Sequence, residues 1–305
     1  MTKILVTGAS GLLGLNFALQ HAAQHEITGV VNSQALHGAP FAVRGADLGL
    51  PGSGASLLEA ERPEILLHCA AVANLEVAER DPALAQRVNA DLPGELAEAS
   101  RRLGVRMVHL STDAVFDGTH GPYSEEDEPN PLSAYARSKR AGELAVLQAN
   151  PRAIVARVNF YGWSLNGRRS LAEFFFNNLS AGKTANGWTD VFFCPLEVTE
   201  LGNLLLEMAQ KGLEGLYHVV SPECLSKFDF GRAVARAFGF DENLVLPTRV
   251  SESGLNAARS PDLRLSTTKL ARDLGRGLPG QAECLGRFQR QHLEGYPQRL
   301  RSLAA

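Results

Sequence analysis

Apolar residues in the first half of the chain follow two alternating patterns. Stretches 4–7, 27–31, 41–46, 65–69, 105–110 and 154–158 are short and mostly apolar, the length of strands and not of helices. The stretch 65–69 is apolar almost throughout, as expected where a sheet is covered on both faces. Between these stretches the period changes. Leu12, Leu15, Leu19 and Ala22 share one face of a helix, and 57–61 forms a short second helix. A third helix starts at Asp81-Pro82, with the aspartate as cap and the proline in the first turn, and runs to about Leu103. Ser133 caps a fourth, which carries Tyr135 and Lys139. This alternation implies an α/β protein on a doubly wound parallel sheet, with its ligand crevice beyond the carboxyl ends of the strands.

After Val158 the alternation fades. Residues 159–169 read as a loop, 171–179 as a helix whose Phe174-Phe175-Phe176 belongs to the core, 216–220 as a return strand, and 226–238 as a helix opened by a Ser226-x-x-Asp229 capping box. This half reads as a smaller, mainly helical unit over the sheet, and such units carry substrate specificity. The expected division is 1–160 plus a return segment at about 190–222 for the sheet domain, and 161–189 with 223–305 for the substrate domain. Between them, 113–132 is a turn-rich loop whose acids at 125–128 read as solvated.

Composition narrows the function classes. At 305 residues, 45% hydrophobic and 21% charged, the chain is long enough for one large core or two unequal domains. A net charge of −3 gives no footprint for nucleic acid, and Arg101-Arg102 and Arg168-Arg169 read as isolated, solvated pairs. No apolar run approaches the ~20 residues a membrane span needs, and the start is too short in apolar residues for a signal peptide. Cys69, Cys194, Cys224 and Cys284 are widely spaced with no C-x-x-C, which suggests neither a zinc ribbon nor a dense disulfide framework. A cytoplasmic protein without a metal is the expectation.

The candidate chemistry lies at the strand ends. Gly8-Ala9-Ser10-Gly11-Leu12-Leu13-Gly14 joins the first strand to the first helix. Glycines there let the backbone approach a pyrophosphate, and the helix start offers unpaired N–H groups and a positive dipole end. No Gly-Lys-Ser/Thr follows, which excludes a triphosphatase P-loop. The second strand ends at Asn32-Ser33 where an NAD-selective site would place an acid, so NADP is slightly favoured. Asp47 is placed either to accept from an adenine amino group or as a solvated turn residue. Ala70-Ala71 are small enough for a ligand to lie across the fourth strand. Asn89 either orders backbone near a cofactor or is a satisfied core amide, and His109 reads as a packed histidine. Tyr135 and Lys139 lie about one helical turn apart. A cation beside a phenol favours the phenolate and lowers a pKa that starts near ~10. Thr112, at the end of the fifth strand, is placed to hold a carbonyl oxygen against that phenol.

With these residues the chain resembles the extended short-chain dehydrogenase/reductases, and within them the nucleotide-sugar reductases typified by dTDP-4-dehydrorhamnose reductase. The resemblance rests on the segments 7–14, 111–118, 122–127, 130–139 and 258–270, and it spans nearly the whole chain. It implies a Rossmann-type sheet domain and an NAD(P)H-dependent oxidoreductase that reduces the keto group of a nucleotide-activated 4-keto-6-deoxysugar, a dTDP-rhamnose type of biosynthesis. Tyr135 would be the proton donor, Lys139 would tune it and bind the nicotinamide ribose, and Thr112 would hold the substrate carbonyl. The implied cofactor set is Gly8, Ser10, Gly11, Leu12, Leu13, Gly14, Asn32, Asp47, Leu48, Cys69, Ala70, Ala71, Asn89, Leu110, Tyr135, Lys139, Val158 and Asn159. Thr112, Asp113, Trp163 and Arg259 would meet the substrate, Arg259 at its diphosphate. The partner is a small nucleotide sugar; neither nucleic acid nor membrane is expected, and a homodimer is compatible.

Three segments depart from that pattern: Ala114 replaces the usual tyrosine, and 72–76 and 159–163 are altered, which leaves the sugar open. The same scaffold supports nucleotide-sugar epimerases and dehydratases, the latter using an acid beside the threonine, where Asp113 stands. The chain also resembles the regulatory beta subunit of methionine adenosyltransferase, a non-catalytic cofactor-binding relative. Asp117-Gly118-Thr119 and Pro122-Tyr123 suit that reading, while an intact Thr112, Tyr135 and Lys139 favours an enzyme.

Overall fold

Seven parallel strands form the central sheet of the computed structural model, which describes residues 1–252 and 260–304. In chain order the first half reads β1 (Lys3–Thr7), α1 (Leu12–His21), β2 (Glu26–Val31), β3 (Ala42–Gly45), α2 (Ser53–Glu61) and β4 (Ile65–His68). It continues through α3 (Leu75–Arg80), α4 (Pro82–Gln86), α5 (Leu92–Leu103), β5 (Arg106–Thr112), α6 (Ala134–Ala149) and β6 (Ile154–Val158). Then come β7 (Phe160–Tyr161), α7 (Leu171–Ser180), β8 (Ala185–Trp188), β9 (Phe192–Phe193), β10 (Leu196–Glu197), α8 (Val198–Lys211) and β11 (Gly215–Val219). The chain closes with β12 (Leu225–Ser226), α9 (Lys227–Phe238), β13 (Val245–Thr248), α10 (Thr268–Leu274), α11 (Gln281–Leu293) and α12 (Tyr296–Arg301).

The order across the sheet is β11-β6-β5-β4-β1-β2-β3. The chain builds outward from β1 to β3, crosses back to β4, and then builds the other way. That reversal places a crevice between the carboxyl ends of β1 and β4, where open α/β sheets bind ligands. Side chains alternate between two covered faces. Leu5, Leu66, Met107 and Val155 pack with Leu57, Leu58, Leu92 and Leu96 from α2 and α5. Ile4, Val6, Ile65, Val108 and Ile154 pack on the other face with α1, α8 and the C-terminal helices. The expected return strand is β11, parallel to β6 in register Val219 to Val158. Edge strand β3 is exposed at every residue, and its Arg44 reaches Glu61 of α2 at 2.5 Å.

The single helix expected from Asp81 to Leu103 is three pieces. Asp81 caps α4, accepting from the Leu84 N–H at 2.9 Å, and 87–91 forms a π-helical turn before α5. Pro93 supplies the reason: it has no N–H and its ring crowds the carbonyl four residues back, that of Asn89. That carbonyl leans onto α6, where a Cβ on Gly142 would lie 2.1 Å from it. Only Phe175 of the three phenylalanines is fully buried; Phe174 is 43% exposed. Glu125, expected to be solvated, accepts from the His218 backbone N–H at 2.9 Å. Cys194 and Cys224 form a disulfide that their spacing did not suggest; the Ser221 N–H bond to the Cys194 carbonyl (3.1 Å) holds the two loops together. Among the described residues no helix is long and apolar enough to cross a membrane, and no cluster of His, Cys, Asp or Glu is placed to hold a metal.

Candidate active site

The crevice at the strand ends has a volume of about 710 Å³. One end is the glycine turn. Gly8 has φ +68°, and a Cβ there would lie 2.8 Å from the Ala70 nitrogen, so β1 and β4 approach each other more closely than a side chain allows. A Cβ on Gly14 would lie 2.4 Å from the Gly8 carbonyl oxygen, which ties α1 to the turn. Gly11 opens α1 without a side-chain cap, so the first N–H groups of the helix remain available to a ligand. This cradle fits a dinucleotide pyrophosphate. Gly8, Ser10, Gly11, Leu12, Leu13 and Gly14 all line the crevice.

The next portion is lined by Asn32, Asp47 and Leu48 on one side and Cys69, Ala70 and Ala71 on the other. Asp47 caps its own turn by accepting from the Gly49 N–H at 2.9 Å. Arg87 donates to the Gly49 and Leu50 carbonyls at 2.9 and 3.0 Å while it pairs with Glu95 at 2.8 Å, which braces that loop.

Leu110, Thr112, Asp113, Tyr135, Lys139, Val158 and Asn159 line the far end. Ser133 caps α6 by accepting from the Ala136 N–H at 3.1 Å, as the sequence led us to expect, and this sets the rotation of the helix. The Thr112 hydroxyl and the Tyr135 phenol line the same end of the crevice. Burial pushes that phenol up to about 12, opposed by the nearby Thr112 hydroxyl, and the neighbouring Asp113 adds to the rise. This corrects the expectation that Lys139 lowers it: the ammonium donates instead to the Leu110 carbonyl at 2.5 Å. Burial lowers Lys139 itself to about 8, opposed by the charge of Glu143. Burial raises Asp113 to about 6, opposed by hydrogen bonds from Asn159 (2.5 Å) and Thr112 (3.2 Å) and by the charge of Lys227. His109 is packed inside the sheet, stacked on His68, and burial holds it well below its ordinary value.

Beneath these groups lies a buried polar network. Glu143, one turn beyond Lys139, accepts from Ser111 Oγ at 2.6 Å and from Arg157 Nε and Nη2 at 2.9 Å each. Arg140 adds a fourth donor at 3.0 Å, and Arg157 lies under the Phe116 ring, 4.9 Å from its centroid. The C-terminal segment that carried part of the resemblance docks on the loop after β5. Ser260 Oγ donates to the Phe116 carbonyl at 2.8 Å, and the Tyr123 N–H donates to the Arg264 carbonyl at 2.8 Å.

Two expected site residues lie elsewhere. Asn89 does not line the crevice; its amide clamps both backbone groups of Val72 (2.8 and 3.1 Å) and donates to Ser138 Oγ at 3.0 Å, so it joins the loop after β4 to α6. Trp163 is core and not substrate site: its ring stacks on Phe288 at 4.0 Å and its indole N–H donates to the Phe288 carbonyl at 3.0 Å. A large aromatic with its one donor satisfied is stabilised by that burial. Arg259 falls outside the described residues. One residue read as solvated, Arg169, lines the crevice instead. Its signal was the Ser170-x-x-Glu173 capping box immediately after it, which fixes where α7 begins.

A family model described as RmlD substrate binding domain matches residues 1–293. The chain is 31% identical over 280 residues to the probable low-salt glycan biosynthesis reductase Agl14 of Haloferax volcanii, covering 90% of this chain and 93% of that protein. It is 32% identical over 280 residues to dTDP-4-dehydrorhamnose reductase of Mycobacterium tuberculosis (88% and 86% covered). It is 30% identical over 283 residues to methionine adenosyltransferase 2 subunit beta of Bos taurus (85% and 78% covered). Among solved structures, the dTDP-4-dehydrorhamnose reductase of Clostridium acetobutylicum superposes with TM-score 0.82 at 26% identity, covering 95% of this chain and 99% of that one. The Bacillus anthracis reductase in complex with NADP does so with TM-score 0.81 at 25% identity, covering 95% and 100%.

Proposed function

We infer the activity from a chain that belongs to the RmlD substrate binding domain family and whose crevice brings a phenol, an amine and a threonine hydroxyl to one end of a dinucleotide cradle. The protein is an NAD(P)H-dependent reductase of a nucleotide-activated 4-keto-6-deoxysugar, similar to dTDP-4-dehydrorhamnose reductase. The observation that carries this reading is that Thr112, Tyr135 and Lys139 line the far end of the crevice that the glycine turn opens. Residues 1–160 with the return through β11 would form the cofactor domain, and the remainder the substrate domain.

When bound, NAD(P)H supplies the hydride that reaches the keto carbon. Tyr135, protonated across the physiological range, donates its proton to the developing alkoxide, and the phenolate left behind recovers one from solvent. Thr112 holds the same oxygen, so its dipole acts on charge that grows in the transition state. The buried Lys139 ammonium, held by the Leu110 carbonyl at the same end of the crevice, would bind the nicotinamide ribose. Asn159 and Thr112 orient Asp113 at the substrate end. Purified protein should oxidise NAD(P)H when given a dTDP-4-keto-6-deoxyhexose, followed by absorbance; no turnover with either cofactor sinks the reading.

The pH profile follows from the perturbed groups. Lys139 keeps its charge below about 8 and loses it above, so kcat/KM is expected to fall roughly tenfold per pH unit past that point. Asp113 takes up a proton below about 6 and produces the acid limb, which Asp113→Asn should abolish. A profile flat through pH 9 would contradict the role given to Lys139. At the other end of the crevice, Gly14→Ala is expected to weaken NADPH binding tenfold or more, read by quenching of cofactor fluorescence, because the methyl must displace the Gly8 carbonyl. Wild-type affinity in that variant would show that the turn is not the pyrophosphate cradle.

The match to methionine adenosyltransferase 2 subunit beta supports a second reading, a cofactor-binding regulatory subunit. Co-purification with a stoichiometric adenosyltransferase, without turnover of any keto sugar, would favour it.

A further inference from the structure

Arg169 is exposed at the rim of the crevice, and it is the one exposed cation among the described residues that line it. The other charged lining residues are the buried Lys139 and Asp113, and Asp47 at the opposite end. The Arg169 guanidinium has no carboxylate partner among the described residues.

The segment that carries Arg169 is rigidly tied. Glu173 is fully buried and accepts from the backbone N–H groups of Ser164 (2.7 Å), Arg169 (2.9 Å) and Ser170 (3.1 Å), and from the Ser164 hydroxyl (2.8 Å). Ser170 Oγ donates to the Gly162 carbonyl at 2.7 Å, and Asn177 donates to the Gly167 carbonyl at 2.8 Å. No cation among the described residues pairs with Glu173. A buried carboxylate satisfied only by backbone and hydroxyl donors costs desolvation unless those bonds are all made. These bonds hold the loop, and in this arrangement Arg169 lines the crevice. Helix α1 packs beside the same segment, since Asn16 donates to the Trp163 carbonyl at 2.9 Å.

We propose that Arg169 binds a diphosphate in the crevice, presented by the loop that Glu173 holds. A guanidinium fork matches paired phosphate oxygens, and a rigid backbone spares part of the ordering entropy of binding. Two ligands carry that group: the dinucleotide and, on the reductase reading given above, the nucleotide sugar. The test separates them. Calorimetry on the full chain measures NADPH binding, and then dTDP binding to the NADP-saturated chain, for wild type, Arg169→Ala and Arg169→Lys. Arg169→Ala is expected to weaken one of the two ligands about tenfold or more. Arg169→Lys should recover only part, because the charge returns without the fork. A loss confined to NADPH assigns Arg169 to the cofactor diphosphate; a loss confined to dTDP assigns it to the substrate. Unchanged affinity for both ligands in Arg169→Ala overturns the proposal. Wild-type protein that binds both ligands yet reduces no keto sugar overturns the reductase reading and leaves Arg169 to be judged by the binding data.

Discussion

Tyr135→Phe is expected to lower kcat for keto-sugar reduction by about 10²–10⁴-fold, the usual worth of a positioned general acid, while NADPH affinity stays within about threefold of wild type. The argument rests on the phenol and its surroundings. Burial leaves the hydroxyl protonated, pushed up to about 12, so in the reductive direction it is a ready donor at neutral pH. The ring itself is retained in the variant, so α6 and its packing on the sheet should not change. Comparing Tm with wild type checks this. Thr112→Val is expected to have a smaller effect, since it removes one hydrogen bond to the oxygen and not the proton that must be delivered. Steady-state kinetics with a dTDP-4-keto-6-deoxyhexose decide the matter. Turnover in Tyr135→Phe equal to wild type would remove the tyrosine from the chemistry.

The sheet was legible because its central strands are buried on both faces, which turns them into short apolar runs that no helix of that length imitates. The glycine turn and the Tyr135 to Lys139 spacing were legible for a related reason. Each is a local arrangement, a tight turn or a single helical turn, that the sequence encodes within a few residues. What escaped was set by distant contacts. The break at 87–91 depends on Pro93 and on Gly142 of another helix admitting a displaced carbonyl. Trp163 looks like a binding residue by position, yet Phe288, far along the chain, takes its ring and its indole proton. The phenol's pKa reversed its expected direction because sequence spacing gives the distance between Tyr135 and Lys139 along the helix but not the burial that raises the phenol, nor the Leu110 carbonyl that accepts from the ammonium. Arg169 was set aside as a solvated cation: the Ser170-x-x-Glu173 box marks where α7 begins, but not that Glu173 is buried and holds the loop with Arg169 at the crevice.

The same contrast bears on Arg157, whose contribution is to the fold and through it to the site. Arg157→Ala is expected to cost about 3–5 kcal/mol of stability, because it strands a carboxylate that no solvent reaches. Both partners are buried, at 1% and 0% side-chain exposure, so screening offers little relief. Ser111 and the partly exposed Arg140 would remain as the only donors to Glu143. Urea unfolding at pH 7 should show a lower midpoint with an unchanged slope. The pH dependence tests the electrostatic part. Burial raises the Glu143 carboxyl, but Arg157, Ser111 and Arg140 outweigh it and hold the group below its ordinary value. A depressed folded-state value means that this stability is present above the unfolded pKa of about 4.3 and lost as pH falls through the folded one. Wild type should therefore lose part of its advantage over Arg157→Ala below about pH 4. Replacing both partners, as in Glu143→Leu with Arg157→Met, should cost less than Arg157→Ala alone, since no unpaired buried charge remains. A double variant at least as unstable as that single one would show that the pair acts through its own attraction, and not mainly by each charge neutralising the other's burial.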